Sequence, residues 1–383
     1  MKKIFIVAMA LAAFVSCSKD DGVKQLQSSK KAVAITIANG STETRATVTK
    51  PVAADKIAGG TATIQDQATA GACANVNELV VLFANANGTV IDVNADNVSI
   101  SNSSFVNNTV ENGSLIDASG TNGTNLTGND FTGNNLTNGT AIDVSGSNGT
   151  TIENTTFTGN DVTDGSLIDA SNSTGTDVSG TDIAGNNMTG STGIDASGSE
   201  GANIDNTTVS GNDIEGTTLV DASNSTGADV SGTDMSGNNM TDSTGVDVSG
   251  SEGANVSDTT ASGNDITGGK VVDASNSTGA DVSGTDLSGN NMTGSTGVDV
   301  SGSEGASVAN TTASDNDISG GKVVDASGSN GTDVSGTDMS GNNMTDSTGV
   351  DVSGSSGTNV SDTTASGNDI TGGKVVDASN STG

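Results

Sequence analysis

Histidine, tryptophan and tyrosine are missing from this 383-residue chain, and its one proline is Pro51. Aromatic residues supply much of a compact core's buried area, so a content of 2% argues against an ordinary globular domain. Positive charge is scarce too. The net charge is −34, and nine of the twelve basic residues lie at or before Lys56. A chain this acidic cannot neutralise phosphates, which excludes nucleic acid as a partner.

What is present begins with "MKKIFIVAMALAAFVSCSKDDG". Lys2 and Lys3 precede an apolar stretch from Ile4 to Val15 that is too short to span a bilayer, so it reads as a signal peptide. Val15-Ser16-Cys17 resembles a bacterial lipobox, with Phe14 where leucine is usual. That resemblance implies a lipidated Cys17 as the mature N-terminus. Ser18-Lys19-Asp20-Asp21 is similar to the tether of lipoproteins exported to the outer face of the outer membrane. With Cys17 lipidated, Cys73 is left alone and no disulfide holds the mature chain.

Internal repetition dominates the rest. Asp117, Asp143, Asp169, Asp195, Asp221, Asp247, Asp273, Asp299, Asp325, Asp351 and Asp377 recur every 26 residues. Alternate units resemble each other more, giving a 52-residue super-period. An apolar residue precedes each Asp and a serine follows two places after it. Further apolar columns include Phe105, Phe131, Phe157, Ile183, Val209, Met235 and Ala261. An unbroken asparagine column runs through Asn108, Asn134, Asn160, Asn186, Asn212, Asn238, Asn264, Asn290, Asn316, Asn342 and Asn368.

Val272-Asp273-Ala274-Ser275 alternates apolar and polar with period two, which predicts short strands. "SGNN", "SNSTG" and "TGG" are turn clusters between them. A unit of this size cannot bury its inner face alone, so neighbours must stack. Parallel stacking at roughly 4.8 Å per coil predicts a rod of about 50 Å. The phrase "GIDASGSEGANIDNTTVSGNDIEG" resembles the repeats of pectate-lyase-like right-handed parallel β-helices, from about Ile91 to Gly383. "ADVSGTDMSGNNM" is also similar to pentapeptide repeats. Because 26 is not a multiple of five, the three-sided form is expected. The fold class expected is all-β, a right-handed parallel β-helix of about eleven coils. In alternate late coils one core column holds only Ala261, Ala313 and Ala365, so the core reads as thin and stability as resting on hydrogen-bonded ladders.

The expected domains are 1–17, the lipoprotein signal and lipidated cysteine; 18–56, a tether and flexible arm; 57–90, an N-terminal cap or short β region; and 91–383, the coils. "NVNELVVLFANANGTVIDV" reads as two strands around an Asn-Gly turn. It resembles the opening of fimbrillin-type pilus subunits, and Thr44-Arg45-Ala46 resembles their maturation site. The chain stops at Gly383 inside a coil, from which a fragment of a longer protein is expected.

Chemistry is sparse. Lys270, Lys322 and Lys374 are the only basic residues in the coils, and they recur with the repeat. No residue is singled out, so no catalytic site, no metal site and no enzyme are expected. "NDITGGKV" lacks the first glycine and final hydroxyl of a phosphate loop, and "DASNSTG" lacks the terminal acid of a calcium loop. The Asp column repels itself by about 1 kcal/mol per neighbouring pair in water. Salt, the lysines or divalent ions would offset this; calcium is the one cofactor the column could take. Thr208, Asp234, Thr260 and Asp286 break the regular lattice that ice binding needs. Asp-hydroxyl sequences at Ser243, Thr259, Ser347 and Thr363 resemble a bacterial O-glycosylation signal.

The sequence therefore reads as an outer-membrane, lipid-anchored surface protein with a repeat stalk. Its partners would be the membrane and a surface glycan or protein, in an adhesin-like role. A pilus-associated subunit is the alternative, and a polysaccharide-active β-helix enzyme the third.

Overall fold

The computed structural model describes residues 88–382, Ala95 excepted, and the backbone of short strands between residues 31 and 87. Within this span the chain is an all-β parallel solenoid of about eleven coils. One coil shows how the sequence makes it. Its strands are Asp177–Ser179, Asp182–Ala184, Asn187–Thr189 and Thr192–Asp195. Val178, Ile183, Met188 and Ile194 point inward and are buried, while their strand neighbours Asp177, Asp182, Asn187 and Thr192 point outward. Each strand pairs in parallel with the next coil: Val178 with Ile204, Ile183 with Val209, Met188 with Ile214, Ile194 with Val220.

Four strand files result, not the three expected. Strand starts at Asp177, Asp182, Asn187 and Thr192 are five residues apart, and the last side takes eleven to reach Asn203. The five-residue step seen in "ADVSGTDMSGNNM" thus builds three sides. The longer fourth side holds the remainder, so divisibility by five was the wrong test. Two sheets have 12 strands and the fourth-side sheet 15, while the second side splits into 6 and 3 strands. Single-residue bridges Thr208↔Asp234, Asp234↔Thr260, Thr260↔Asp286 and Asp286↔Thr312 span that split.

The bends between the short strands use left-handed backbone, where glycine and asparagine are least penalised. Gly284 has φ +65°, and a Cβ there would lie 2.8 Å from the Asp258 carboxylate of the preceding coil. Asp258 is itself left-handed, at φ 52°. Side chain and glycine alternate, one filling the space the other leaves.

The same complementarity corrects the thin-core expectation. Coils with Met235, Leu287 or Met339 carry Gly245, Gly297 or Gly349 on the fourth side; those with Ala261 or Ala313 carry Val271 or Val323 there. A Cβ on Gly245 would sit 2.7 Å from the Met235 Sδ. The interior is thus filled in two alternating ways, with a larger residue on the fourth side where the second side holds alanine. In the early coils Phe105, Phe131 and Phe157 stack with ring centroids 4.6 and 4.9 Å apart.

At the N-terminal end, strands Ile35–Asn39 and Ala62–Asp66 extend the fourth-side sheet in parallel, and Arg45–Val48 closes it antiparallel.

Candidate functional site

The candidate residues form files, because every side chain of a coil lies over its equivalent in the next. Asn264 illustrates the asparagine file. Its Oδ1 accepts from the Asn238 N–H at 2.8 Å, and its Nδ2 donates to the Met235 carbonyl at 2.7 Å and to Asn290 Oδ1 at 3.0 Å. The same geometry joins Asn108, Asn134, Asn160, Asn186 and Asn212. It continues through Asn316 and Asn342 to Asn368. Among these, Asn108 to Asn342 are buried. An amide carries both a donor and an acceptor, so one residue type satisfies the bend of two coils at once.

A second buried file escaped the sequence reading. Ser173 donates its backbone N–H to Ser199 Oγ at 3.1 Å, while its own Oγ donates to the Val144 carbonyl at 3.1 Å. Ser147, Ser199, Ser225, Ser251, Ser277, Ser303 and Ser329 repeat the pattern. Its signal was the serine that recurs four residues after each Asp from Asp143 onward.

The aspartate file lies at the end of the fourth side, each Asp in register with the next, as Asp221 with Asp247. Oδ1 of Asp195 accepts from the Ser197 N–H at 2.9 Å and the Ser197 hydroxyl at 2.6 Å. The N–H contact recurs at Asp117, Asp143, Asp169, Asp221, Asp247 and Asp273. It also recurs at Asp299, Asp325, Asp351 and Asp377.

The two halves of this file differ. Lys270 Nζ lies 2.6 Å from Oδ2 of both Asp273 and Asp299. Lys322 Nζ spans Asp325 at 2.6 Å and Asp351 at 2.7 Å, and Lys374 meets Asp377 at 2.5 Å. Among the described residues, no lysine forms an ion pair with the file from Asp117 to Asp247. Burial, with a smaller contribution from neighbouring aspartates, pushes the carboxyls of Asp143, Asp195 and Asp221 above the usual range. Asp247 is raised by burial as well. Asp351 is also disfavoured by burial, but the Lys322 ammonium and the Ser353 hydrogen bonds together outweigh this and hold it below the usual range. Lys374 lowers Asp377 to about 2.

Outward-facing files handle charge differently, and this accounts for much of the 52-residue super-period. On the third side Asp161, Asp213, Asp265 and Asp317 alternate with Asn187, Asn239, Asn291 and Asn343. Each Asn amide donates to the Asp one coil earlier, at 3.2, 2.8, 3.1 and 3.1 Å respectively. On the first side Asn203 and Asn255 donate to Asp177 and Asp229. Asp alternates with Thr on the second side, and Glu200, Glu252 and Glu304 alternate with Thr at the turn. Like charges in one file are thereby about 10 Å apart rather than 4.8 Å, near the screening length at physiological salt.

Ser243, Thr259 and Ser347 correct the glycosylation expectation. All three are 2% exposed or less, and the Ser243 and Ser347 hydroxyls donate to the Ile214 and Ile318 carbonyls. A sugar on any of them would have to occupy the packed interior. Thr363 stands at the corner equivalent to Thr259. Around that corner Thr181, Thr207, Thr233, Thr259, Thr285, Thr311 and Thr337 have buried hydroxyls with no hydrogen-bond partner in the protein. Cys17, Cys73 and the Thr44-Arg45-Ala46 side chains lie outside the described residues. Among the described residues, no helix is long and apolar enough to cross a membrane, and no three acidic or metal-ligating side chains are grouped to hold an ion.

No protein-family model matches the chain, and no curated protein matches it. Similar solved structures include the A-module of mannuronan C-5 epimerase AlgE6 of Azotobacter vinelandii, 13% identical, covering 83% of this chain and 91% of that one, TM-score 0.32. PfbA, a surface adhesin of Streptococcus pneumoniae, is 11% identical over 84% of this chain and 85% of its own, TM-score 0.34. A family 28 exopolygalacturonase of Yersinia enterocolitica is 8% identical over 82% and 74%, TM-score 0.34. These likenesses concern the right-handed β-helix fold alone. The expectation that the chain is no enzyme is corrected to an open assignment: the similar structures include epimerases and an exopolygalacturonase beside an adhesin, and a likeness of fold gives the chain neither an activity nor the lack of one.

Proposed function

We propose that the protein is an outer-membrane lipoprotein whose β-helix rod is a surface stalk in an adhesin-like role. The observation that carries this reading is the uniformity of the rod. Its side chains form continuous files from coil to coil, so the described surface offers a long repeating face rather than one distinctive cleft. The lipobox-like Val15-Ser16-Cys17 supplies the anchor, and the acidic outward files keep an extended body soluble. The ligand class is a surface glycan or protein.

The test is radiolabelled fatty-acid incorporation together with protease shaving of intact cells. The reading expects label on the wild-type chain, none on Cys17→Ala, and loss of the coils on shaving. An unlabelled wild-type chain, or coils protected in intact cells, would overturn it.

A further inference from the structure

We infer that the rod can change length only in steps of two coils, so the unit of insertion or loss is 52 residues and not 26. The purpose of such a change rests on the stalk reading above; the inference itself rests on how coils meet.

Three independent features have a two-coil phase. Acidic residues on the outer files face a neutral hydrogen-bonding partner in the next coil, as Asp229 faces Asn255 at 2.9 Å. Left-handed Asp258 or Asn310 lies against Gly284 or Gly336 of the following coil. Inside, the Met235–Gly245 pairing abuts the Ala261–Val271 pairing, and the Gly245 Cβ position is closed by the Val271 carbonyl at 2.5 Å as well as by Met235.

Removing residues 254–279 would join two coils of the same kind. Asp229 would face Asp281, Asp234 would face Asp286, and Glu252 would face Glu304. Gly245 would lie beside Gly297, and Asp299 would lose the Lys270 ammonium that reaches it at 2.6 Å. Removing residues 254–305 instead places Asp229 against Ser307, Asn239 against Asp317 and Gly245 against Val323. Every alternation is kept.

Purified full-length protein and both deletions should be compared by hydrogen exchange at the rungs flanking the junction, at low and high salt. The longer deletion should keep wild-type protection. The shorter one should lose at least about tenfold at low salt, part of it returning at high salt as like charges are screened. As a second variant, the shorter deletion carrying Asp281→Asn, Asp286→Thr and Glu304→Thr, which separates the like charges but leaves Gly245 beside Gly297, should recover part of the protection and lose its salt dependence, even if the parent deletion does not fold. Equal protection at both junctions, or a longer deletion as damaged as the shorter, would overturn the inference. Neither result bears on where the protein resides, so the stalk reading stands or falls separately.

Discussion

Asn264 and Thr233 sit at neighbouring bends, yet substitutions there should act in opposite directions. Asn264→Ala removes the acceptor for the Asn238 N–H and the donor to the Met235 carbonyl. Leaving such groups unpaired should cost about 1–3 kcal/mol. Thr233 is fully buried and its hydroxyl has no partner. Valine keeps its shape without the unpaired group, so Thr233→Val should be neutral or stabilising by about 1 kcal/mol. Urea unfolding of both variants checks this; a loss at Thr233 matching that at Asn264 would contradict it. The asparagine file was legible because one residue type recurs without a gap. The burial of Ser243 and Thr259 was not, because a hydroxyl after Asp looks alike in a turn or at an inward corner, and only the bend decides.

Between elements, the coupling to examine is that of Met235 and Gly245. Met235→Ala alone opens a cavity and should cost about 2–5 kcal/mol. Gly245→Val alone drives a side chain into the Met235 Sδ. Together they remove the clash with the Met235 side chain but leave the one with the Val271 carbonyl, 2.5 Å from the Gly245 Cβ position, so the double variant should stay below wild type yet be more stable than the sum of the singles predicts. Additive losses in denaturant titrations would dismiss the complementary packing. This pairing was hidden in the sequence, since the partners are ten residues apart and meet only when the coil closes. Four-sidedness was hidden too, because the eleven-residue fourth side breaks the five-residue rhythm. Phe131, stacked between two rings, should cost about 3–5 kcal/mol as alanine.

Across the whole molecule, the acidic file gives the two halves opposite responses to acid. In the first half Asp143, Asp195, Asp221 and Asp247 have raised carboxyls. Their contribution to stability is full below the unfolded value of about 3.9 and is lost as pH rises through the folded value. Asp351 and Asp377 are lowered by lysine. Theirs is present above about 3.9 and is lost as pH falls through the folded value. Hydrogen exchange corrected for intrinsic rates should show the early coils gaining protection from neutral pH to about 4, and the last coils losing it below that. A uniform change along the rod would refute the assignment. Periodicity made the rod visible in the sequence; the half-and-half charge compensation depended on where Lys270 and Lys322 reach in space.

All of this requires equivalent residues of successive coils to be neighbours, as Asp161 and Asn187 are on the third side. Cysteines at these two positions, in a background with Cys17 and Cys73 replaced by serine, test that directly, because adjacent parallel strands bring Cα atoms within about 4.4–6.8 Å of each other, the range a disulfide needs. The in-register stack predicts rapid, near-complete oxidation of the Asp161→Cys/Asn187→Cys pair and little for Asp161→Cys with Asp213 or Thr189 replaced by cysteine. Equal oxidation of all the pairs, or none at 161 and 187, would contradict it.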